Sequence, residues 1–300
     1  MAKLSKKLIT LILSLLLIVT AFVGIAFSGN KSIAKASGTI INPIAKYEFK
    51  DASNLGKDSM GNYDMEARYN YVADGANQLY NEATLLEGGG VSFDEHFCVA
   101  QDENTDMFKD VTAFTLCFEL MPMGKTTNKD STYLGVAGTE YNFRFTGRSK
   151  ASTVPGQVRL SAHSLTYTYS NATKTWSGYD APKINKSGEK ADATEFLRYV
   201  VTVQPGGNIA VYMNGSSVAL VNPWNSASIS TSLPEDFAVY PATEPTSGTR
   251  SYFSIGSSFY KQFHSNGSAS YVAMTTDAAK GAIRNVQFYD FAMDATCVSD

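Results

Sequence analysis

The chain is short of the residues that carry most enzyme chemistry. Its 300 residues include three histidines, three cysteines and two tryptophans, and only 18% are Asp, Glu, Lys or Arg. His96, His163 and His264 stand singly, so neither a His-Glu-x-x-His metal motif nor a nucleophile–histidine pair can be read. A Gly-x-Ser-x-Gly elbow, a phosphate-cradling glycine loop and a Cys-x-x-Cys pair are absent as well. A net charge of -3 without a basic run in the body of the chain excludes the electrostatic footprint of a nucleic-acid binder. Three cysteines allow at most one internal bridge. Cys98 and Cys117 are one conceivable pair in an oxidising compartment. The other reading makes them small apolar core residues, because Phe97-Cys98-Val99 and Leu116-Cys117-Phe118 both look like buried strand segments.

Only one long apolar run occurs, Leu8 to Phe27, behind Lys3, Lys6 and Lys7 and ahead of Ala34-Lys35-Ala36. Residues 1–36 therefore read as a secretory signal peptide with a small-x-small cleavage site. The run spans 20 residues, enough to cross a bilayer, so an uncleaved N-terminal anchor is the alternative. Either way the expectation is a secreted or extracellular protein, with residues 37–45 as a linker and 46–300 as one folded domain.

What the chain has in quantity is aromatic residues and glycine, with 17 Tyr, 17 Phe and 23 Gly, a composition that suits pleated surfaces joined by tight reversals. The strongest local signal is Phe196 to Val221. Leu197, Tyr199, Val201 and Val203 alternate with Arg198, Val200 and Thr202, and Ile209, Val211 and Met213 alternate with Ala210 and Tyr212. Gln204 to Asn208 and Asn214-Gly215 supply the turns. Apolar residues on both faces place this ribbon inside a sheet. Further strands are expected at Lys46–Phe49, Val91–Asp94, Phe114–Leu120, Thr132–Val136, Tyr141–Phe145, Gln157–Ser161, Tyr252–Ser257 and Gly281–Tyr289, with short helices at Glu103–Lys109 and Thr276–Lys280. Many short strands without an internal repeat predict an all-β protein, a two-sheet antiparallel β-sandwich.

In chain order these segments resemble the laminin G-like, concanavalin A-like jelly-roll family. Tyr47-Glu48-Phe49 and then Asp58-Ser59-Met60-Gly61-Asn62 look like its opening strand and turn, and Gly90 to Asp94 like its second strand. Val200 to Val203 with Tyr212-Met213-Asn214-Gly215 resembles its V-T-V strand and Asn-Gly hairpin. Ile255-Gly256 and Gly281 through Met293 resemble its closing segments. Tyr133 to Asp192 matches no family pattern. The resemblance implies a jelly roll, calcium sites, and lectin or glycan-hydrolase activity.

The glycosidase reading needs paired carboxylates, and the family's Glu-x-Asp-x-x-Glu strand is missing. Glu189, Asp192 and Glu195 come nearest, but at spacings of three they read as a solvated cluster, as do Asp102, Glu103 and Asp106. For metal, Asp58, Asn62 and Asp64 with Ser59 offer hard oxygen donors to Ca²⁺ within one turn, although turns use the same residues to bond their own backbone. For sugar, an exposed aromatic face flanked by polar groups is required, and Trp176, Tyr179 and Trp224 in polar loops are the candidates. The expectation is a non-catalytic module that binds a glycan or surface glycoprotein. The alternatives are a cell-surface adhesion or structural module that binds protein, and behind it a divergent glycoside hydrolase.

Overall fold

The computed structural model describes residues 41–71, 77–109, 111–122, 131–136, 138–139, 143–147, 158–162, 183–184, 196–218, 220–221, 231–233, 235, 248–273 and 278–299. The chain divides into two units, Met1–Ile33 and Ala34–Asp300, and everything described belongs to the second. Its strands in chain order are β1 (Ala45–Tyr47), β2 (Glu66–Tyr71), β3 (Asn77–Leu85), β4 (Val91–Phe97), β5 (Val99–Ala100), β6 (Phe114–Pro122) and β7 (Ser131–Val136). They continue as β8 (Gly138–Thr139), β9 (Phe143–Gly147), β10 (Val158–Ala162), β11 (Lys183–Ile184), β12 (Leu197–Val203), β13 (Ile209–Met213), β14 (Ser216–Val218) and β15 (Leu220–Val221). The last are β16 (Gly248–Tyr252), β17 (Ser254–Ile255), β18 (Phe259–Phe263), β19 (Ala269–Ala273) and β20 (Lys280–Tyr289), followed by helix α1 (Ala295–Ser299). Among the described residues no helix is long and apolar enough to cross a membrane.

One sheet runs β14–β13–β12–β6–β20, with β4 and β1 alongside the two halves of β20 and β3 outside β4. The other runs β10–β9–β7–β17–β5–β2, and a hairpin layer, β8–β16–β18–β19, continues onto β2. β3 pairs with β2 through its first residues and with β4 through its last, which joins the sheets along one edge. Nearly every pairing is antiparallel. Side chains from the inner faces meet in the core: Phe118 of the first sheet lies 4.8 Å from Phe145 of the second, and Phe145 lies 4.9 Å from Tyr199, ring centre to ring centre. Alternation dictates this, since Phe114, Leu116, Phe118 and Leu120 point inward while Thr115, Cys117 and Glu119 point out.

Within the ribbon at 196–221, β12 and β13 are internal as the sequence predicts, while β14 forms the sheet edge. β12 lies between β6 and β13, and Asn214 and Gly215 both adopt positive φ (48° and 77°), the backbone an Asn-Gly hairpin turn requires. β20 holds a subtler feature. Ile283, Val286 and Phe288 are all buried, yet their spacing of three and then two cannot put them on one face of a regular strand. Asn285 resolves the conflict. It sits at a shift of register between Arg284 and Gln287, with φ 51°, so one residue is looped out and the alternation restarts in phase.

The sequence-based expectations need three corrections, and the cysteines follow the core reading of the two left open. β2, β3, β18 and β19 arise where no strand was expected, because their charged and polar residues hide the alternation. Residues 103–109 form turns, not a helix, and residue 280 begins a strand. α1 was not foreseen; five residues carry too little periodicity to read. Cys98, Cys117 and Cys297 are all free thiols, with Cys98 and Cys117 buried in separate apolar clusters. Burial pushes each of those two thiols up to about 12, which keeps them protonated and inert.

Candidate functional site

The site is assembled on β16, β18 and β19, three strands whose register stacks their side chains in rows. Tyr252, Phe259 and Ala273 form an inner row, and Arg250, Lys261 and Tyr271 a middle one. Over these rows folds the segment 101–109, which is tied down at several points. Gln101 is buried; its Nε2 donates to the Tyr47 hydroxyl at 3.0 Å and its Oε1 accepts from the Met107 amide at 3.1 Å. Met107 and Phe108 enter the core, where Phe108 packs edge-on against Phe114 and Phe288. The Asp102 carboxylate accepts from the Asn104 amide at 2.9 Å and the Thr105 amide at 3.3 Å, so its turn carries Glu103 outward on a fixed backbone.

Each acid of that segment meets a partner in the rows. Asp106 accepts from Arg250 Nη2 at 3.5 Å, and both side chains are largely buried. Asp102 stands 3.5 Å from Arg68 Nη2, and the Arg68 guanidinium lies 4.7 Å from the centre of the Phe259 ring. Glu103 is shared: Oε1 accepts from Lys261 Nζ at 3.3 Å, while Oε2 accepts from the Tyr252 hydroxyl at 3.4 Å and from the Tyr271 hydroxyl. These acids are therefore not the solvated cluster that their spacing suggests. Partial burial pulls the Glu103 carboxyl upward, but the Tyr271 hydroxyl, its own backbone amide and Lys261 together outweigh it and hold the group below its ordinary value. The Tyr271 phenol moves up, first through desolvation and then through the Glu103 carboxylate that it faces.

Tyr271 is what makes this surface a candidate. Among the described side chains it is the one exposed aromatic, 40% accessible. Its ring stacks nearly parallel on Phe259 (5.8 Å, 9°), with the Lys261 ammonium 5.5 Å from its centre. The ring is thus held in place from behind and at its edge. A fixed apolar face bordered by a carboxylate and an ammonium is what a sugar ring needs, C–H groups against the face and hydroxyls against the charges. No motif announces it, because Glu103 and Tyr271 are 168 residues apart. The one available hint was a run of aromatics, Phe259, Tyr260, Phe263 and Tyr271, interspersed with polar residues.

The sequence-based candidates fare differently. Trp176, Tyr179 and Trp224 lie outside the described residues, as do His163, Glu189, Asp192 and Glu195. Asp58, Asn62 and Asp64 do come together in one turn. The buried Asp58 carboxylate accepts four backbone amides, those of Lys46 (2.7 Å) and Met60 (2.9 Å) on Oδ1 and those of Asn62 and Tyr63 (both 3.0 Å) on Oδ2. Asp64 accepts the Asp58 amide at 2.8 Å and pairs with Lys57 at 3.0 Å. Among the described residues no three His, Cys, Asp or Glu side chains gather around a point that would hold a metal ion. His96 is exposed on β4, and His264 stands beside the β18–β19 turn, 3.1 Å from the Ser270 hydroxyl.

No family model and no curated protein matches the chain. Solved structures do. Domain 4 of AbnA, an extracellular arabinanase from Geobacillus stearothermophilus, in complex with arabinotriose, aligns with TM-score 0.51 at 15% identity over 86% of this chain and 97% of that domain. A native heptameric SAP-like pentraxin from Limulus polyphemus aligns with TM-score 0.37 at 16% identity over 63% of this chain and 69% of its own. A Trypanosoma rangeli sialidase aligns with TM-score 0.46 at 12% identity over 91% of this chain but 35% of the enzyme. At these identities the likeness is one of fold. The chain is an all-β, two-sheet antiparallel β-sandwich.

Proposed function

We propose that this chain is a non-catalytic, carbohydrate-binding β-sandwich module that acts outside the cell, and that Tyr271 is the stacking platform of its site. The observation that carries the reading is the Tyr271 ring, exposed on one side, backed by Phe259 and flanked by Glu103 and Lys261. In support, the arabinanase domain that shares the fold over nearly its whole length was solved with an oligosaccharide bound. The aromatics Trp176, Tyr179 and Trp224 extend the proposal as a second set of sugar contacts.

The test is a glycan array followed by calorimetry with arabino-oligosaccharides and the array's best ligands, with calcium and with chelator. Binding that falls at least about tenfold in Tyr271→Ala, with the fold intact by circular dichroism, is the expected result. An unchanged affinity in Tyr271→Ala with a loss in Trp176→Ala or Trp224→Ala would move the site to the loops. No ligand in either condition would overturn the reading.

A further inference from the structure

The outer face of the first sheet, made by β6, β12 and β20, carries a cavity of about 450 Å³ between the strands, the segment at Ile41 and helix α1. That volume lies in the range of about 300–1,000 Å³ usual for small-ligand sites. Its charge follows from the register. Arg284, Glu119 and Arg198 fall in one row across the three strands, two guanidinium groups on either side of a single carboxylate.

Glu119 is committed to one side of that row. Its Oε2 lies 2.7 Å from Arg284 Nε and 2.6 Å from Nη2, and its Oε1 accepts from Asn285 Nδ2 at 2.6 Å. The bulge at Asn285 makes the second contact possible, since only a residue looped out of the alternation can sit on the same face as Arg284. Arg198 is left over. Its guanidinium makes one hydrogen bond, Nη1 to the Val298 carbonyl at 3.4 Å, and has no carboxylate partner among the described residues. Burying part of a cation without an anion is costly, and an anionic ligand would relieve the cost.

Besides Arg198 and the Glu119 carboxylate, which is neutralised by Arg284, the cavity offers hydroxyl-binding groups. Gln287 accepts the Tyr289 hydroxyl at 2.7 Å through Oε1, which turns its amide nitrogen free to donate, and Ile41 and Met293 add apolar wall. Cys117 also lines the cavity, but burial pushes its thiol up to about 12, so thiolate chemistry plays no part at neutral pH.

We propose that this cavity binds a carboxylate-bearing monosaccharide, a uronic acid residue. Arg198 takes the carboxylate with its planar pair of N–H donors, and Gln287 and Tyr289 meet the ring hydroxyls. The single spare cation matches a singly charged group, and the ring of amide and phenol groups matches a sugar better than a simple fatty acid. The inference stands on residues separate from the Tyr271 platform.

The experiment titrates the full chain with galacturonate, glucuronate, galactose and acetate, followed by saturation-transfer NMR. The expected result is that the uronates bind, galactose and acetate bind at least about tenfold more weakly, and Arg198→Gln removes the preference. Gln287→Glu, which sets a like charge beside the ligand, should weaken the uronates by a similar factor and serves as the second variant if Arg198→Gln fails to fold. The titrations are run in a Tyr271→Ala background as well as in the unaltered chain, and uronate preference that persists without the platform and is lost on adding Arg198→Gln separates the cavity from the platform. Equal affinity for galacturonate and galactose, or unaltered uronate binding in both cavity variants, would overturn the proposal.

Discussion

Asp58 and Glu103 both sit in turns rich in acids and polar residues, and they have opposite fates. Asp58 is 1% exposed and its four bonds come from backbone amides, so the carboxylate replaces a missing strand partner and closes the turn against β1. Glu103 is exposed, and its bonds come from the tips of Lys261, Tyr252 and Tyr271. Backbone donors cannot turn away to greet a ligand, whereas side-chain tips can exchange one partner for another at little cost. The type of donor, more than the count of acids, separates a structural carboxylate from an available one.

That contrast breaks most visibly in stability. Asp58→Ala strips one carboxylate from four amides and should lower the unfolding free energy by about 4 kcal/mol, measured by denaturant titration, while glycan affinity per folded molecule stays the same. If Asp58→Ala were instead near neutral, the turn would not depend on its carboxylate and the comparison would fail. Asp106 is the intermediate case. Its removal takes a carboxylate away from the largely buried Arg250 guanidinium, and Asp106→Ala should cost about 3 kcal/mol.

Glu103→Gln should cost stability no more than about 1 kcal/mol, because its ion pair with Lys261 is partly solvated, yet weaken sugar binding several-fold. A larger stability loss than in Asp106→Ala would place Glu103 among the structural acids. The smallest effect is with pH. The Glu103 and Asp102 carboxyls titrate below their ordinary values of 4.5 and 3.8, so their contribution is fully present at neutral pH and is lost only as pH falls below these values and through the folded-state ones. Melting temperature should therefore hold from neutral pH down to about 4.5 and drop below it, with a shallower drop in Glu103→Gln.

Much of the scaffold was legible in the primary structure. β12 and β13 announce themselves because β-branched residues alternate between turns that only Asn and Gly accept. Gly256 of the closing Ile-Gly pair is equally physical: at φ 90° a Cβ there would come within 2.6 Å of the Phe97 carbonyl. The hairpin layer was not legible. β18 and β19 carry Tyr260, Lys261, Gln262 and Ser270 among their aromatics, so their alternation is masked, and β2 joins the distant β5 and β19 as well as its neighbour β3.

By itself, then, the sequence determined the class of fold, because period-two patterning and turn chemistry act between near neighbours and survive in a string of letters. It also marked the Asp58 turn, whose bonds lie within a few residues of one another apart from the one to β1. Only the tertiary structure decided which acids face solvent, which cation lacks an anion and which aromatic ring is backed and exposed. Those properties depend on register between strands as far apart as β6, β18 and β20, and cross-strand register is set by packing of the whole core rather than by any one segment.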